Sequence, residues 1–295
     1  MTVARQTGSS LATYQDLVDD GKRILYETSD TPRIDAEILI QHTVDEPLSW
    51  LIAHGDSAAS AAHTKEFYRL IAERQKGQPI AYLIGERDFW SLTLSVNEHV
   101  LIPRPDTETL VESALECLAT ASKDNERINI LDLGTGSGAI ALSLAKEHSS
   151  AKITAVDYSH EALYVARHNA ERNNINNAHF IQSNWFDALG SEQRFDLIAS
   201  NPPYIDDKDP HLEQGDVRFE PNSALVAKSN GLADLQLIIA SAPEFLNNDA
   251  WLIVEHGYNQ GEAVTQLFKQ NGFSSISLHQ DINGLDRCTK GQLVR

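Results

Sequence analysis

The sequence predicts an α/β protein: a doubly wound, mostly parallel sheet of seven strands, preceded by a small all-α bundle and a β-hairpin linker. Three observations carry that prediction. From Pro105 onward, apolar runs of strand length alternate with stretches of helical period, as in a parallel sheet built through crossover helices. Before about residue 85 only helical spacing occurs. The last two apolar runs are joined by a short turn containing Asn283-Gly284, which implies an antiparallel hairpin at one sheet edge.

Residues 1–85 read as a helical bundle. Leu11, Tyr14, Leu17, Val18, Gly21, Ile24 and Leu25 recur at helical spacing, as do Phe67, Leu70 and Ile71, and core packing explains them all. Thr31-Pro32, Glu46-Pro47 and Gly77-Gln78-Pro79 punctuate the helices. Residues 86–103 form a linker, where Phe89, Leu92, Leu94 and Val96 alternate as in a hairpin. Residues 104–295 form the large domain. Its predicted order is helix 106–121, strand 127–133, helix 138–147, strand 152–156, helix 160–172 and strands 178–182 and 195–200. Helix 231–246, strand 250–255, helix 260–271 and strands 274–280 and 287–294 complete it. Pro103-Arg104-Pro105 fixes the chain ahead of the first helix, with Asp106 or Thr107 as its N-cap. Arg104 either serves that geometry or forms a lip over a channel.

The run Ile128-Asn-Ile-Leu-Asp-Leu-Gly-Thr-Gly-Ser-Gly-Ala139 reads as strand, glycine turn, helix. Gly134, Gly136 and Gly138 remove Cβ atoms where a ligand would approach, and the following helix is expected to aim its free N–H groups at that ligand. Asp157 ends the next strand, placed to accept from two ribose hydroxyls. The signal is ambiguous at this point. Gly134, Gly136 and Ala139 also satisfy a dinucleotide pattern, so a nicotinamide enzyme competes.

Asn201-Pro202-Pro203-Tyr204 follows the strand Phe195–Ser200. Two prolines end the ladder and stiffen the loop. The Asn201 side-chain oxygen and the Pro202 carbonyl are then two acceptors at the carboxyl edge of the sheet, with Tyr204 beside them. That set suits an –NH2 group on a planar amide or base. A rigid surface turn is the plainer explanation for N-P-P alone. Glu255-His-Gly257 at a strand end is expected to serve the loop, with facing the cofactor cleft as the alternative, and Asp206-Asp-Lys-Asp209 to be solvated or to meet a basic substrate segment.

Glycine turn, Asp157 and NPPY together resemble S-adenosylmethionine-dependent methyltransferases acting on amino nitrogens. The match narrows with Gln78-Pro-Ile-Ala-Tyr-Leu-Ile-Gly85, Leu101-Ile-Pro-Arg-Pro-Asp-Thr-Glu108, Asp132–Ala139, Ser200-Asn-Pro-Pro-Tyr-Ile205, Glu220-Pro-Asn-Ser-Ala-Leu225 and Gly284-Leu-Asp-Arg287. In order and across nearly the whole chain, these resemble the HemK/PrmC family, the glutamine N5-methyltransferases of peptide chain release factors. The resemblance implies a Rossmann-like methyltransferase domain, S-adenosyl-L-methionine as cofactor, a release factor as protein substrate and a helical N-terminal domain that docks it. It implies that Gly134, Thr135, Gly136, Ser137 and Gly138 face the methionine portion and ribose, and that Asp157 takes the ribose. Asn184 and Trp185 would neighbour the adenine, with Asn184 where an acidic residue is commoner, and Asn201 would also contact the cofactor. Asn201, Pro202, Pro203 and Tyr204 would hold the substrate amide, Asn201, Pro202 and Tyr204 acting catalytically.

Composition narrows the alternatives. Asp and Glu number 42 against 24 Lys and Arg, a net charge of −18. Affinity for nucleic acid leans on basic residues that neutralise phosphate, so an N6-adenine or N2-guanine methyltransferase of nucleic acid is the weaker alternative. A non-catalytic cofactor-binding scaffold would have no use for the intact acceptor loop. No apolar run approaches the roughly 20 residues needed to span a bilayer, and no signal-like leader opens the chain. Cys117 and Cys288, in a predicted helix and strand, read as small hydrophobes, and the eleven histidines show no ligand spacing. The expectation is a cytoplasmic monomer without metal, nucleic acid or membrane partners.

Overall fold

The computed structural model describes residues 12–121 and 128–295, so Leu11 of the predicted helical pattern lies outside the described residues. The chain divides into two compact units, Met1–Gly85 and Glu86–Arg295.

The first unit contains α1 (Tyr14–Leu25), α2 (Pro32–Val44), α3 (Leu48–His54), α4 (Ala61–Gln75) and α5 (Ile80–Ile84). Thr13 starts α1 with a capping box, its side chain accepting from the Asp16 N–H while Asp16 returns a bond to the Thr13 N–H. Leu17, Val18 and Leu25 then bury one helix face against Ala36, Leu39 and Ile40 of α2 and Phe67, Leu70 and Ile71 of α4. Gly21 lets α1 and α4 approach closely: a Cβ there would stand 2.8 Å from the Phe67 ring. Asp35, buried at the start of α2, is held by the Arg74 guanidinium at 2.7 Å.

The second unit opens with the hairpin β1 (Glu86–Phe89) and β2 (Leu92–Ser95), whose Phe89, Leu92 and Leu94 are buried. A 3-10 turn at Pro105–Thr107 leads into α6 (Glu108–Ala121), followed by β3 (Asn129–Leu133), α7 (Ala139–Glu147), β4 (Lys152–Asp157), α8 (His160–Arg172), β5 (Ala178–Gln182) and β6 (Phe195–Ser200). A clip of two-residue strands, β7 (Ile205–Asp206) and β8 (Val226–Ala227), pairs in parallel and closes the loop after β6. The short turn α9 (Lys228–Gly231), α10 (Ala233–Phe245), β9 (Leu246–Glu255), α11 (Gly261–Gln270), β10 (Phe273–Gln280) and β11 (Asp286–Leu293) complete the unit.

The seven-stranded sheet runs β10-β11-β9-β6-β3-β4-β5. Its first five strands in sequence are parallel, and β10–β11 is the expected antiparallel hairpin, with β10 at the edge. One face is covered by the apolar sides of α6 and α7 and by the β1–β2 hairpin, the other by α10 and α11. Asp106 and Thr107 do not act as the predicted N-cap of α6. Asp106 pairs with Arg287 at 3.4 Å and the Thr107 hydroxyl accepts from Asn201, because tertiary partners outbid the local helix end. Cys117 and Cys288 are buried thiols, neither of them in a disulfide.

Candidate active site

The order of strands reverses between β3 and β6, and open α/β sheets bind ligands at such a point, beyond the carboxyl ends of the strands. Here β3 delivers the glycine turn and β6 delivers Asn201. Leu133 and Ser200 are register partners, and the buried Ser200 hydroxyl donates to the Leu133 carbonyl at 2.8 Å. The two loops therefore leave the sheet side by side.

The glycine turn is fixed largely by its own N–H groups. Gly134 and Thr135 both donate to the Val156 carbonyl, Gly138 to the Thr135 carbonyl and Gly136 to the Asp157 carboxylate at 2.9 Å. Ala141, in the first turn of α7, donates to Asp132 at 3.1 Å. The expected row of free N–H groups is thus partly spent inside the protein, since a buried amide needs a partner whether or not a ligand is bound. Asp132, fully buried, also accepts from the Thr135 hydroxyl at 2.6 Å, and its Oδ1 has no partner. Burial pushes its carboxyl up to about 7.

In front of the turn lies a cleft of about 320 Å³. It gathers Gly134, Gly136, Asp157, Asn184, Trp185, Asn201 and Pro203 from the residues singled out in the sequence. Thr135 and Ser137 are buried behind the turn: the Thr135 hydroxyl serves Asp132 and the Ser137 carbonyl accepts from Asn169. Gly138 backs onto Leu142, and neither it nor those two lines the cleft. Gly136 has φ +55°, and a Cβ there would meet only open space, so the cradle is left clear for a ligand. Asp157 accepts from Gly136 and Ser159; burial raises its pKa and these N–H bonds oppose the rise. The Trp185 ring lies against Gly134, where a Cβ would stand 3.3 Å from it. Asn184 is exposed and donates to Asp187. Local motifs gave no sign of His99 or Asp234, which also line the cleft, and Ser223, which lines it too, entered only as part of the Glu220–Leu225 motif.

A second cavity of about 230 Å³ is lined by Leu101, Arg104, Asp106, Asn201, Tyr204 and Glu255, among others. Asn201 belongs to both cavities. Its Nδ2 donates to the Thr107 Oγ1 at 3.3 Å, which leaves Oδ1 as the acceptor on offer. Pro202 is buried. The Tyr204 hydroxyl donates to Glu255 Oε1 at 3.1 Å, and burial, then the Glu255 charge, push its pKa up. Glu255 was expected to serve its loop or else to face the cofactor cleft, and it lines the second cavity rather than that cleft. It is fully buried behind Tyr204, where burial pushes it up to about 7 while Thr107, Arg287 and Tyr204 favour its charged form. Arg104 clasps the buried Glu220 at 2.6 Å, and Glu220 also accepts from the Ile102 N–H. Leu101–Glu108 and Glu220–Leu225 thereby meet at the wall between cleft and second cavity.

The fold and this cleft define a methyltransferase domain. A family model described as a methyltransferase domain matches residues 124–288, and one described as the PrmC N-terminal domain matches residues 16–85. The release factor glutamine methyltransferase of Vibrio cholerae is 49% identical over 90% of this chain and 91% of its own length. Those of Aliivibrio fischeri and Escherichia coli are 46% and 45% identical, covering 91% and 90% of this chain and 93% and 94% of theirs. The chain belongs to the release factor glutamine methyltransferase family. Among solved structures, the human METTL16 catalytic domain in complex with an RNA hairpin has a TM-score of 0.57 at 16% identity, covering 77% of this chain and 81% of its own. A Thermus thermophilus 16S rRNA N2 G1207 methyltransferase, in complex with AdoMet and guanosine, scores 0.50 at 18%, covering 70% and 49%. At those identities the likeness is one of fold. Among the described residues, no helix is long and apolar enough to cross a membrane, and no cluster of ligating side chains could hold a metal.

Proposed function

We propose that this protein transfers a methyl group from S-adenosyl-L-methionine to the side-chain amide nitrogen (N5) of the glutamine in the Gly-Gly-Gln loop of peptide chain release factors. One observation carries the reading: Asn201 stands where two cavities meet, with its amide nitrogen tied to Thr107 and its oxygen left to accept. The relatives that cover about nine-tenths of this chain support the choice of substrate.

The cleft suits the cofactor. Gly134 and Gly136 leave the cradle clear, Asp157 presents a carboxylate to ribose hydroxyls, and Trp185 with Asn184 flanks the adenine end. Bound there, S-adenosylmethionine supplies a methyl group already activated by its positive sulfur. The task left to the chain is placement, because a carboxamide nitrogen is a weak nucleophile whose lone pair is shared with its carbonyl. Asn201 Oδ1 and the Pro202 carbonyl each accept one N–H of that amide, orienting the nitrogen and favouring the positive charge it develops. Pro203 stiffens the loop, and Tyr204 packs against the amide plane. No strong base is required, since the methylated amide nitrogen sheds its proton readily to water.

Residues 1–85 serve as the docking domain for the intact factor, residues 86–103 as linker and residues 104–295 as the catalytic domain. The protein works as a cytoplasmic monomer without contacting nucleic acid directly, in keeping with its excess of acidic residues. The test is mass spectrometry of purified release factor after incubation with this protein and labelled S-adenosylmethionine. A gain of one methyl group mapped to the loop glutamine is expected; an unmodified loop would refute the proposal.

A further inference from the structure

We propose that Glu255 is a positioning residue that fixes, through Thr107, which end of the Asn201 amide faces the substrate. The inference rests on the amide-methylation reading above and deepens it.

An asparagine amide is nearly symmetric in shape, and turning it over exchanges an acceptor for two donors. A substrate –NH2 can be held only by the oxygen, so the site needs something that forbids the flip. Thr107 receives the Asn201 Nδ2 at 3.3 Å, yet a threonine hydroxyl both donates and accepts and does not choose alone. The choice passes to whatever takes the threonine proton. Glu255 faces Thr107 from the end of β9, fully buried, with one oxygen receiving the Tyr204 hydroxyl. Its other oxygen, Oε2, meets no group in hydrogen-bonding geometry, although the Thr107 hydroxyl lies near enough to favour the charged carboxylate.

Buried polar atoms without partners are rare in folded proteins, and an ionised carboxylate can only accept. The two unmet needs answer each other: the Thr107 proton turns toward Glu255, its lone pairs turn toward Asn201 Nδ2, and Asn201 Oδ1 is left facing the substrate. Three segments distant in sequence thus form one chain of fixed donor-to-acceptor direction. Glu255 is faced by Tyr204 from the loop after β6, by Arg287 and Cys288 from β11, by Asp106 ahead of α6, and by Arg104 across the cavity. Tyr204 and Cys288 have pKa values pushed up by burial, Cys288 to about 12, and so stay protonated where Glu255, at about 7, titrates. Protonated Glu255 could donate to Thr107 and undo the direction.

The test is steady-state kinetics on intact release factor with cofactor calorimetry alongside. Glu255→Gln and Thr107→Val should each lower kcat by about tenfold while leaving cofactor affinity unchanged, and Thr107→Ser should restore it to within about twofold. The double variant should be no worse than the poorer single one, since both break the same chain. Wild-type kcat should fall as pH drops through about 7, and Glu255→Gln should be flat there. Thr107→Val turning over like wild type, or multiplying losses in the double variant, would overturn the relay alone. Loss of cofactor affinity together with kcat would make the trio merely structural and overturn it too. A wild-type chain that methylates no release factor would strike the proposed function itself, and the relay with it.

Discussion

Asn201 has one polar end already committed to the protein, so its value to a substrate lies wholly in the other. Removing it should remove a positioned bond at the reacting nitrogen while leaving the glycine turn and Asp157 intact. Asn201→Ala is expected to cost on the order of 3 kcal/mol in the transition state, a hundredfold or more in turnover, with little change in cofactor affinity. Kinetics and calorimetry on the same preparation check both halves; near-normal turnover would return NPPY to a rigid turn. Asn201, Gly134, Gly136 and Asp157 were legible in the sequence because each breaks its local pattern: prolines after a strand, glycines before a helix, an acid closing an apolar run. Glu255, Thr107 and Asp234 were not. Thr107 already had a local explanation as a helix cap and Glu255 as part of its loop, Asp234 gave no local signal, and their importance comes from neighbours about 50 to 150 positions away, which no window of sequence displays.

At the scale of elements, the loop carrying Tyr204 is held from beneath by α9. Gly231 has φ +79°, and a Cβ there would fall 2.1 Å from the Tyr204 carbonyl oxygen, a backbone atom that cannot swing aside. Gly231→Ala should therefore displace the Asn201–Tyr204 loop. A cost of about 2 kcal/mol, or about 4–8 °C in Tm for a domain of this size, is expected together with lost turnover. Calorimetric melting of the variant checks it, and an unchanged Tm would mean the loop yields freely. The regular elements nearby were easier to foresee. α8, β5 and β6 fall on their predicted bounds because periodicity persists over five or more residues. β7 and β8, two residues each, are too short to show any period, and they exist because the loop after β6 must be closed. β9 begins at Leu246, four residues before its predicted start, since a register shift lets it pair with β6 through a polar stretch.

For the molecule as a whole, the chain divides at Gly85 into two compact units, and under the proposed function the first docks the substrate that the second methylates. A chain beginning at Glu86 keeps the complete seven-stranded sheet, the cleft and the Asn201 loop. It should bind S-adenosylmethionine with affinity near that of the full chain and methylate intact release factor poorly. Calorimetry with a methylation assay checks this. Full activity would remove the docking role from the helical unit, and loss of cofactor binding would give that unit a part in holding the fold. The junction at Asn201 has a consequence for inhibition. Because Leu101, Asn201 and Ala224 border both cavities, under the proposed function one molecule carrying an adenosyl group and a carboxamide should reach from one into the other. The second half then binds at the effective concentration set by its tether, in the millimolar range for a short one, so a compound joined at the right length should outbind either half by orders of magnitude.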